Sequence, residues 1–183
     1  MKKTAIFFGT GYEEVEALTV VDLLRRAGIE VTMVSIEPER EVVSSHQVCI
    51  TMDACFADCD FSEYDMLILP GGMPGTKNLG ACQPLMALLH QFDEQGKYLA
   101  AICAAPTVFG KENLLVGKKA CCYPDMQDQL IGAEVTFDPV TKDGHMITSR
   151  GLGTAIPFGL TLIAELENQQ LADEIAKKIV FSV

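Results

Sequence analysis

The sequence predicts an α/β sandwich with a mostly parallel central sheet that is covered by helices on both faces. Three observations lead to this fold class. Short apolar runs with the length of a strand recur at 4–8, 65–69 and 97–102, and such continuous runs are typical of parallel strands buried on both faces. Segments with helical periodicity alternate with them. Glycine-containing turns follow the strand ends at 9–11 and 71–72, at the sheet edge where such folds bind ligands.

The first half of the chain is predicted to contain two buried strands, one helix and a hairpin. Thr4–Phe8 is the first strand, and Glu13–Ala27 is a helix that Gly28 closes. Ile29–Ser35 is the second strand. The remaining segments are the two hairpin strands at Glu41–Val43 and Val48–Thr51, followed by an acidic surface loop with at most a short helix at Asp53–Tyr64.

The second half continues the alternation. Asp65–Leu69 is a buried strand, and a helix over Pro84–Glu94 stops at Gly96. The apolar run before Cys103 is the next strand, and a helix over Ala104–Lys111 follows it. The remaining elements are a short strand at Lys119–Cys122, a short helix at Pro124–Leu130, two strands at Ala133–Phe137 and His145–Ser149 around the turn Lys142-Asp143-Gly144, and helices at Thr154–Leu166 and Gln170–Ile179.

Length, charge and cysteine content limit the classes of function. The 183 residues are expected to form one domain over 1–183. The formal net charge of −11 argues against nucleic acid or an anionic membrane surface as a partner, and the sequence has no apolar span of about 20 residues for a membrane helix. The seven cysteines are an odd number. The first strand is too short for a signal peptide, so we expect a cytoplasmic protein with reduced thiols.

Cys103 is the residue around which the sequence is organised. It ends an apolar run abruptly, and small residues and a predicted helix follow it, with Pro106 in the first turn. A nucleophile at the corner between a strand and a helix is a nucleophile elbow. The helix start would stabilise a thiolate and lower the pKa of the thiol. The alternative is a structural cysteine, because free cysteines are often buried.

Glu16 is the second candidate. It shares a helix face with Val20, Leu23 and Ala27. One interpretation is that it interacts with the positive end of the helix, together with its acidic neighbours. The other is a carboxyl group buried beside the thiolate, where burial and the neighbouring anion would raise its pKa. A protonated Glu16 would then donate a hydrogen bond to the sulfur and move a proton during turnover.

Backbone donors and metal ligands complete the set of candidates. The N–H groups of Gly71-Gly72, together with that of Ala104, could form an oxyanion hole, although two glycines after a strand are more often only a turn. Cys55 and Cys59 have no second pair of ligands at a suitable spacing, so no metal site is predicted. The three histidines, His46, His90 and His145, are all remote from Cys103 in sequence.

Four motifs stand in order along essentially the whole chain: Gly11–Glu16, Leu69–Gly72, Ala100–Thr107 and Thr148–Thr154. Together they resemble the ThiJ/PfpI superfamily, in the branch of the Parkinson-associated protein DJ-one and its bacterial relatives. The resemblance implies a flavodoxin-like three-layer sandwich and a homodimer formed partly through the first helix. It also implies that Cys103 is the nucleophile and Glu16 its partner carboxyl, with the N–H groups of Gly72 and Ala104 as the oxyanion donors.

Several positions depart from the family's pattern. Tyr123 stands where many relatives have a histidine, and a phenol with a pKa near 10 is a poor base at neutral pH. Ala104 stands where the protease-like branch has a histidine, which disfavours proteolysis. His46 replaces an arginine, whereas Arg26 keeps its match, so an anion site beside the cysteine is expected to be weaker. Arg26, His46 and Tyr123 are therefore candidate contacts to an anion or substrate.

The leading hypothesis is a cofactor-free enzyme that acts on small reactive carbonyls, of the glyoxalase or deglycase type, with methylglyoxal-like substrates. In it the Cys103 sulfur adds to an aldehyde and Glu16 moves a proton between adjacent carbons. The alternative from another class is a redox-responsive chaperone or oxidative-stress sensor, because an accessible thiolate is prone to oxidation. A cysteine amidase or protease is a third hypothesis. Thiazole biosynthesis, a label that some relatives carry, has no support in the motifs.

Overall fold

The computed structural model describes residues 1–181, and these form eleven strands and six helices. The strands are β1 (Lys3–Phe8), β2 (Glu30–Ser35), β3 (Glu41–Val43), β4 (Cys49–Thr51), β5 (Ala54–Cys55), β6 (Met66–Leu69), β7 (Tyr98–Ile102), β8 (Lys119–Ala120), β9 (Glu134–Val135), β10 (Val140–Asp143) and β11 (Met146–Ser149). The helices are α1 (Glu14–Arg26), α2 (Gly75–Ala81), α3 (Gln83–Glu94), α4 (Pro106–Lys111), α5 (Ala155–Leu166) and α6 (Gln169–Lys178).

Seven strands form the central sheet, in the order β10-β11-β7-β6-β1-β2-β5. All neighbours in it are parallel except β10 and β11. Two short two-stranded sheets, β3-β4 and β8-β9, lie outside it. This arrangement confirms the mostly parallel sheet that the apolar runs predict.

Helices cover both faces of the sheet. Alternate residues of β1 face opposite sides: Ile6 and Phe8 pack in one core with α1, α5 and α6, whereas Ala5 and Phe7 pack in the other with α3 and α4. All four side chains are fully buried. Burial on both sides explains why the strand is apolar throughout rather than alternating with polar residues. The flavodoxin-like three-layer sandwich is therefore confirmed.

The structure corrects the predicted partner of β11. The prediction placed strands at Ala133–Phe137 and His145–Ser149 on either side of the turn, but β11 pairs with β10, in which Asp143 lies opposite Met146. A two-residue loop joins them at Gly144, whose φ is +59°, and such a loop requires the strand immediately before it as the partner. Within the predicted strand at Ala133–Phe137, only the two residues of β9 form a strand, and β9 pairs with β8.

Other predicted elements differ in length. The sequence pattern does not predict α2, because Gly75 and Gly80 lower its helix propensity. It also predicts a loop in place of β5, which is an edge strand parallel to β2. Three further segments are shorter than predicted: the helix after Cys103 begins at Pro106, the strand at 119–122 ends at Ala120, and the helix at 124–130 is only a 3₁₀ turn at Gln127–Gln129. No helix in the described part of the chain has the length and apolar character needed to cross a membrane.

Candidate active site

Cys103 lies at the corner between β7 and α4, in a left-handed backbone conformation. Its φ is +65°, which costs a residue with a side chain about 1–3 kcal/mol. Two backbone hydrogen bonds hold the corner. The Cys103 N–H donates to the Ser149 carbonyl at 3.0 Å, and the Cys103 carbonyl accepts from the Tyr123 N–H at 2.7 Å. The half-buried thiol is thereby fixed at the carboxyl end of the sheet, as a nucleophile elbow requires.

Glu16 reaches the same place from the first turns of α1. It is 1% exposed, and its carboxyl group lies beside the Cys103 side chain, since a Cβ on Gly71 would be 2.5 Å from Glu16 Oε2 and 3.0 Å from Cys103 Sγ. The Gly71 N–H, at the end of β6, donates to Glu16 Oε2 at 3.1 Å. The interpretation of Glu16 as a buried carboxyl beside the sulfur therefore agrees with the geometry, and its interpretation as a solvated end-of-helix charge does not.

Only glycine fits at position 71, between these two side chains. A Cβ on Gly71 would lie 2.5 Å from Cys103 Cβ, 2.5 Å from Glu16 Oε2 and 3.0 Å from Cys103 Sγ. These separations are far below van der Waals contact, and all three atoms belong to buried or half-buried groups. The absence of a side chain at this position is what allows the thiol and the carboxyl group to meet.

Two backbone N–H groups face the Cys103 sulfur. They belong to Ala104 and Gly72, and hydrogen bonds from both act to lower the pKa of the thiol. Gly72 has a φ of +92°, and a Cβ there would lie 2.3 Å from the Glu13 nitrogen. This close approach of two backbones again requires glycine. The two predicted oxyanion donors therefore lie beside the sulfur, where a reacting oxygen would also be.

Burial raises the pKa of the Glu16 carboxyl to about 7. Hydrogen bonds with the Cys103 thiol and from the Gly71 N–H act in the opposite direction, and the nearby charge of Glu13 adds to the rise. The rise in the pKa of Glu16 agrees in direction with the prediction. Of the two predicted causes, burial is the main one. At neutral pH this carboxyl group is therefore close to the midpoint of its titration.

The Cys103 thiol differs from its prediction. Burial, together with the charge of Glu16 and the hydrogen bond to it, raises the pKa of Cys103 to about 12. The Ala104 and Gly72 N–H groups lower it by less. The sequence predicts that the helix start lowers this pKa, but the helix begins three residues later, at Pro106, and a buried sulfur beside a carboxylate cannot easily take a second negative charge.

The two side chains therefore titrate as a pair that holds one negative charge above about pH 7. Within the pair, the thiol acts to lower the pKa of Glu16, and the carboxyl group acts to raise that of Cys103. A carboxylate in hydrogen-bond contact with a thiol can act as a general base and accept the S–H proton while the sulfur attacks an electrophile.

Tyr123 lies near the opening of the site. Its side chain is 51% exposed. A Cβ built on Gly151 would lie 3.5 Å from the Tyr123 ring and 3.9 Å from Glu16 Oε1, so all three residues meet at one place. Gly151 is not among the site residues predicted from the sequence. The sequence feature that could have identified Gly151 is the Thr148–Thr154 motif. It begins in the last two residues of β11 and continues past the end of that strand, at the same edge of the sheet.

His46 lies over the start of α1. Its Nδ1 is 3.0 Å from Glu14 Oε1 and 3.8 Å from Glu13 Oε2. The hydrogen bond to Glu14 and the charges of Glu14 and Glu13 raise the pKa of His46. One ligand atom from each of these three residues lies within 4.8 Å of the others. His46 is 67% exposed. Its charged partners are the carboxylates of Glu13 and Glu14 rather than the Cys103 sulfur.

Arg26 does not lie at the site within this chain. It is ten residues after Glu16 on the same helix, about 15 Å along the axis at 1.5 Å per residue. Its Nε pairs with Asp22 Oδ2 at 2.6 Å. The expected contact between Arg26 and an anion beside Cys103 is therefore wrong for a single chain, because α1 runs away from the elbow over these ten residues.

The other two histidines pair with acids away from the elbow. His90 Nε2 lies 2.9 Å from Glu112 Oε2, and His145 Nε2 lies 2.6 Å from Asp93 Oδ1. Neither histidine therefore lies beside Cys103, whereas Glu16 does. All seven cysteines are free thiols.

Comparisons with known proteins agree with this fold. A model of the DJ-1/PfpI family matches residues 2–165. Protein dj-1beta of Drosophila melanogaster is 37% identical over 181 residues, covering 98% of this chain and 97% of that protein. Protein DJ-1 homolog B of Arabidopsis thaliana is 38% identical, and the match covers 98% of this chain but only 41% of that protein.

Two further proteins are similar over nearly the whole chain. Glutathione-independent glyoxalase DJR-1.2 of Caenorhabditis elegans is 30% identical over 169 residues, covering 91% of this chain and 89% of that protein. The structure of oxidized Toxoplasma gondii DJ-1 is 35% identical and superposes with a TM-score of 0.96, covering 100% of both chains. From the family match and these identities we conclude that the chain belongs to the DJ-1/PfpI family.

Proposed function

We propose that this protein is a cofactor-free enzyme that uses Cys103 to convert small reactive carbonyls of the methylglyoxal type, as a glyoxalase or deglycase. The observation that carries the proposal is the contact between the buried Glu16 carboxyl and the half-buried Cys103 thiol, with two backbone N–H groups beside the sulfur. The relative from Caenorhabditis elegans that is named a glutathione-independent glyoxalase supports the reaction class.

The first step is addition of the sulfur to the aldehyde carbon. Glu16 accepts the Cys103 S–H proton as the C–S bond forms, and the carbonyl electron pair moves to the oxygen. The N–H groups of Gly72 and Ala104 stabilise that oxygen while its charge develops. Glu16 then returns the proton to it, which gives a hemithioacetal and restores the carboxylate.

The second step moves hydrogen between adjacent carbons. The Glu16 carboxylate removes the proton from the carbon bonded to sulfur, and the neighbouring ketone becomes an enediolate. The hydroxyl proton moves from the oxygen of the sulfur-bearing carbon to the neighbouring oxygen, and reprotonation of the neighbouring carbon by Glu16 gives a hydroxyacyl thioester on Cys103. Water then cleaves the thioester, releases lactate and restores the thiol. The oxidation of one carbon balances the reduction of the next, so no external oxidant or reductant is needed.

Substitution of the pair tests this proposal. We expect Cys103→Ser to abolish the formation of lactate from methylglyoxal without glutathione, and Glu16→Gln to nearly abolish it. Cys49→Ala is the control, because Cys49 is an exposed thiol outside the site and its removal should leave the rate unchanged. A wild-type rate in either of the first two variants would refute the assignment.

The proposed setting of the enzyme is a homodimer in the cytoplasm. The family resemblance suggests pairing through α1, on which Val15 is 44% exposed. Seven free thiols are typical of a reducing compartment. Sedimentation of the Val15→Glu variant tests the dimer. The interface through α1 is contradicted if this variant sediments like the wild-type protein.

A redox sensor is the second candidate, favoured by the half-exposed sulfur and by the solved Toxoplasma gondii relative in an oxidized state. Here Cys103 is oxidised by peroxide to a sulfur oxyacid, and a protonated Glu16 donates a hydrogen bond to the oxidised sulfur. Client aggregation and methylglyoxal turnover, measured in parallel with and without peroxide, separate the two functions. The sensor is favoured if peroxide increases the suppression of aggregation while turnover is absent.

A further inference from the structure

A cavity of about 340 Å³ lies beside the Cys103 site. It is bounded by the same two loops, since Met73 follows Gly72 and Thr107 lies one helical turn after Cys103. Residues of α2, of α4 and of the 3₁₀ turn before Leu130 line it. The lining residues are Met73, Thr76, Lys77, Gly80, Ala81, Thr107, Val108, Lys111, Met126 and Gln129.

The charged residues of this lining are all positive. Lys77 on α2 and Lys111 on α4 line the cavity, and no aspartate or glutamate does. Neither lysine forms a salt bridge with any residue in the described range 1–181, whereas Lys2 and Lys142 pair with nearby acids. The whole chain has 25 acidic and 14 basic residues. Two unpaired lysines around one acid-free cavity therefore form a local positive site on an acidic protein.

Thr76 provides an independent indication of a ligand. It is 3% exposed and lines the cavity, yet its hydroxyl has no hydrogen-bond partner within residues 1–181. A buried polar group without a partner costs free energy, and native structures contain few of them. Thr76 Oγ1 itself has less than 1 Å² of accessible surface, so a rotation about χ1 of Thr76 would turn it to an oxygen-rich anion in the cavity, which would provide the missing partner. The neighbouring Thr107 hydroxyl is already used, because it donates to the Ala104 carbonyl at 2.7 Å.

We propose that this cavity binds a small phosphomonoester, with Lys77, Lys111 and Thr76 as the residues that recognise the phosphate. A phosphomonoester carries a charge of about −1.5 to −2 at neutral pH, which matches two ammonium groups, whereas a carboxylate would match only one. Lysine binds phosphate as a point charge. At about 30 Å³ per water, the cavity has the volume of about eleven waters (340/30), so it has room for a short polyol as well as the phosphate.

Calorimetric titration with glycerol 3-phosphate at low ionic strength tests this site. Saturable binding by the wild-type protein is expected, and none is expected for glycerol. The double variant Lys77→Gln/Lys111→Gln should bind about tenfold more weakly or worse. Its matched control is Lys118→Gln/Lys177→Gln, which removes the same charge from outside the cavity lining and should bind like the wild type.

Two further variants make the test specific. Thr76→Val keeps the shape of the side chain and loses no intramolecular hydrogen bond, so it should fold and bind glycerol 3-phosphate several-fold more weakly. Cys103→Ala should bind like the wild type, so the result does not depend on the proposed carbonyl chemistry. The proposal is overturned by a lack of saturable binding, by equal losses in the two lysine double variants, or by lactate binding as tightly as glycerol 3-phosphate.

Discussion

Glu16→Gln is expected to stabilise the folded protein at neutral and alkaline pH, although it removes the proposed catalytic base. The reason is that the folded chain holds the Glu16 carboxyl in a site that is 1% exposed, where burial raises its pKa from 4.5 to about 7. Ionisation of this group is therefore harder in the folded state than in the unfolded state. A neutral amide of the same shape does not carry that cost.

The sign and size follow from linkage. Below about pH 4.5 the carboxyl is protonated in both states and makes no difference to stability. Between about pH 4.5 and pH 7 only the unfolded chain releases the proton, so the free energy of unfolding falls by about 1.4 kcal/mol per pH unit for this group. Above about pH 7 the loss is constant, at about 3 kcal/mol for a shift from 4.5 to about 7.

Urea denaturation of the wild type and Glu16→Gln at about pH 4.5 and about pH 8 measures this effect. The difference in unfolding free energy between the two proteins should move by about 3 kcal/mol in favour of the variant at the higher pH. Glu63→Gln is the control, because Glu63 is an exposed surface residue, and its difference should not depend on pH in this way. A Glu16→Gln difference that is constant with pH, or that moves towards the wild type at high pH, would refute the reasoning.

Three other experiments probe the same pair. Cys103→Ala removes a hydrogen bond that lowers the pKa of Glu16, so that pKa should rise above about 7 when it is followed by carbon NMR of labelled carboxyl groups; a fall would show that a thiolate had been the partner. The rate of Cys103 alkylation should increase through about pH 7 as Glu16 ionises, and this step should be missing in Glu16→Gln. Gly71→Ala places a Cβ 2.5 Å from both side chains and should abolish methylglyoxal turnover, whereas Gly153→Ala, with open space around it, should not; equal rates would contradict the steric argument.

The sequence predicted the parts of the structure that depend on local pattern. The apolar run of β1 and the abrupt change of character at Cys103 were sufficient to place strands and an elbow, because burial on both faces and a strand-to-helix corner both leave marks within a few residues. The same reasoning placed Glu16 on the inner face of α1, where it shares the helical period of buried neighbours.

The errors concern features that depend on contacts between distant segments. The helix α2 forms in a glycine-containing segment because Gly75 packs closely against Tyr12, where a Cβ would lie 2.6 Å from the Tyr12 nitrogen. Arg26 is a different kind of error, because it was assigned to the site from the resemblance alone although the predicted helix already separated it from Glu16 by about 15 Å. The pKa of Cys103 was predicted to fall because helix starts favour thiolates. Burial and the carboxylate of Glu16, which comes from another part of the chain, raise this pKa instead.

The arrangement around the sulfur is unfavourable for stability in two independent ways. Cys103 has a φ of +65°, and Glu16 is buried with a pKa raised to about 7, so each contributes a cost of a few kcal/mol at neutral pH. A glycine at the corner would remove the first cost but also the packing of the Cys103 side chain, and a glutamine on α1 would remove the second cost. Since strain and a buried ionisable group occur within the same contact, while the surrounding glycines leave room for it, chemistry at the thiol explains the site better than a structural role.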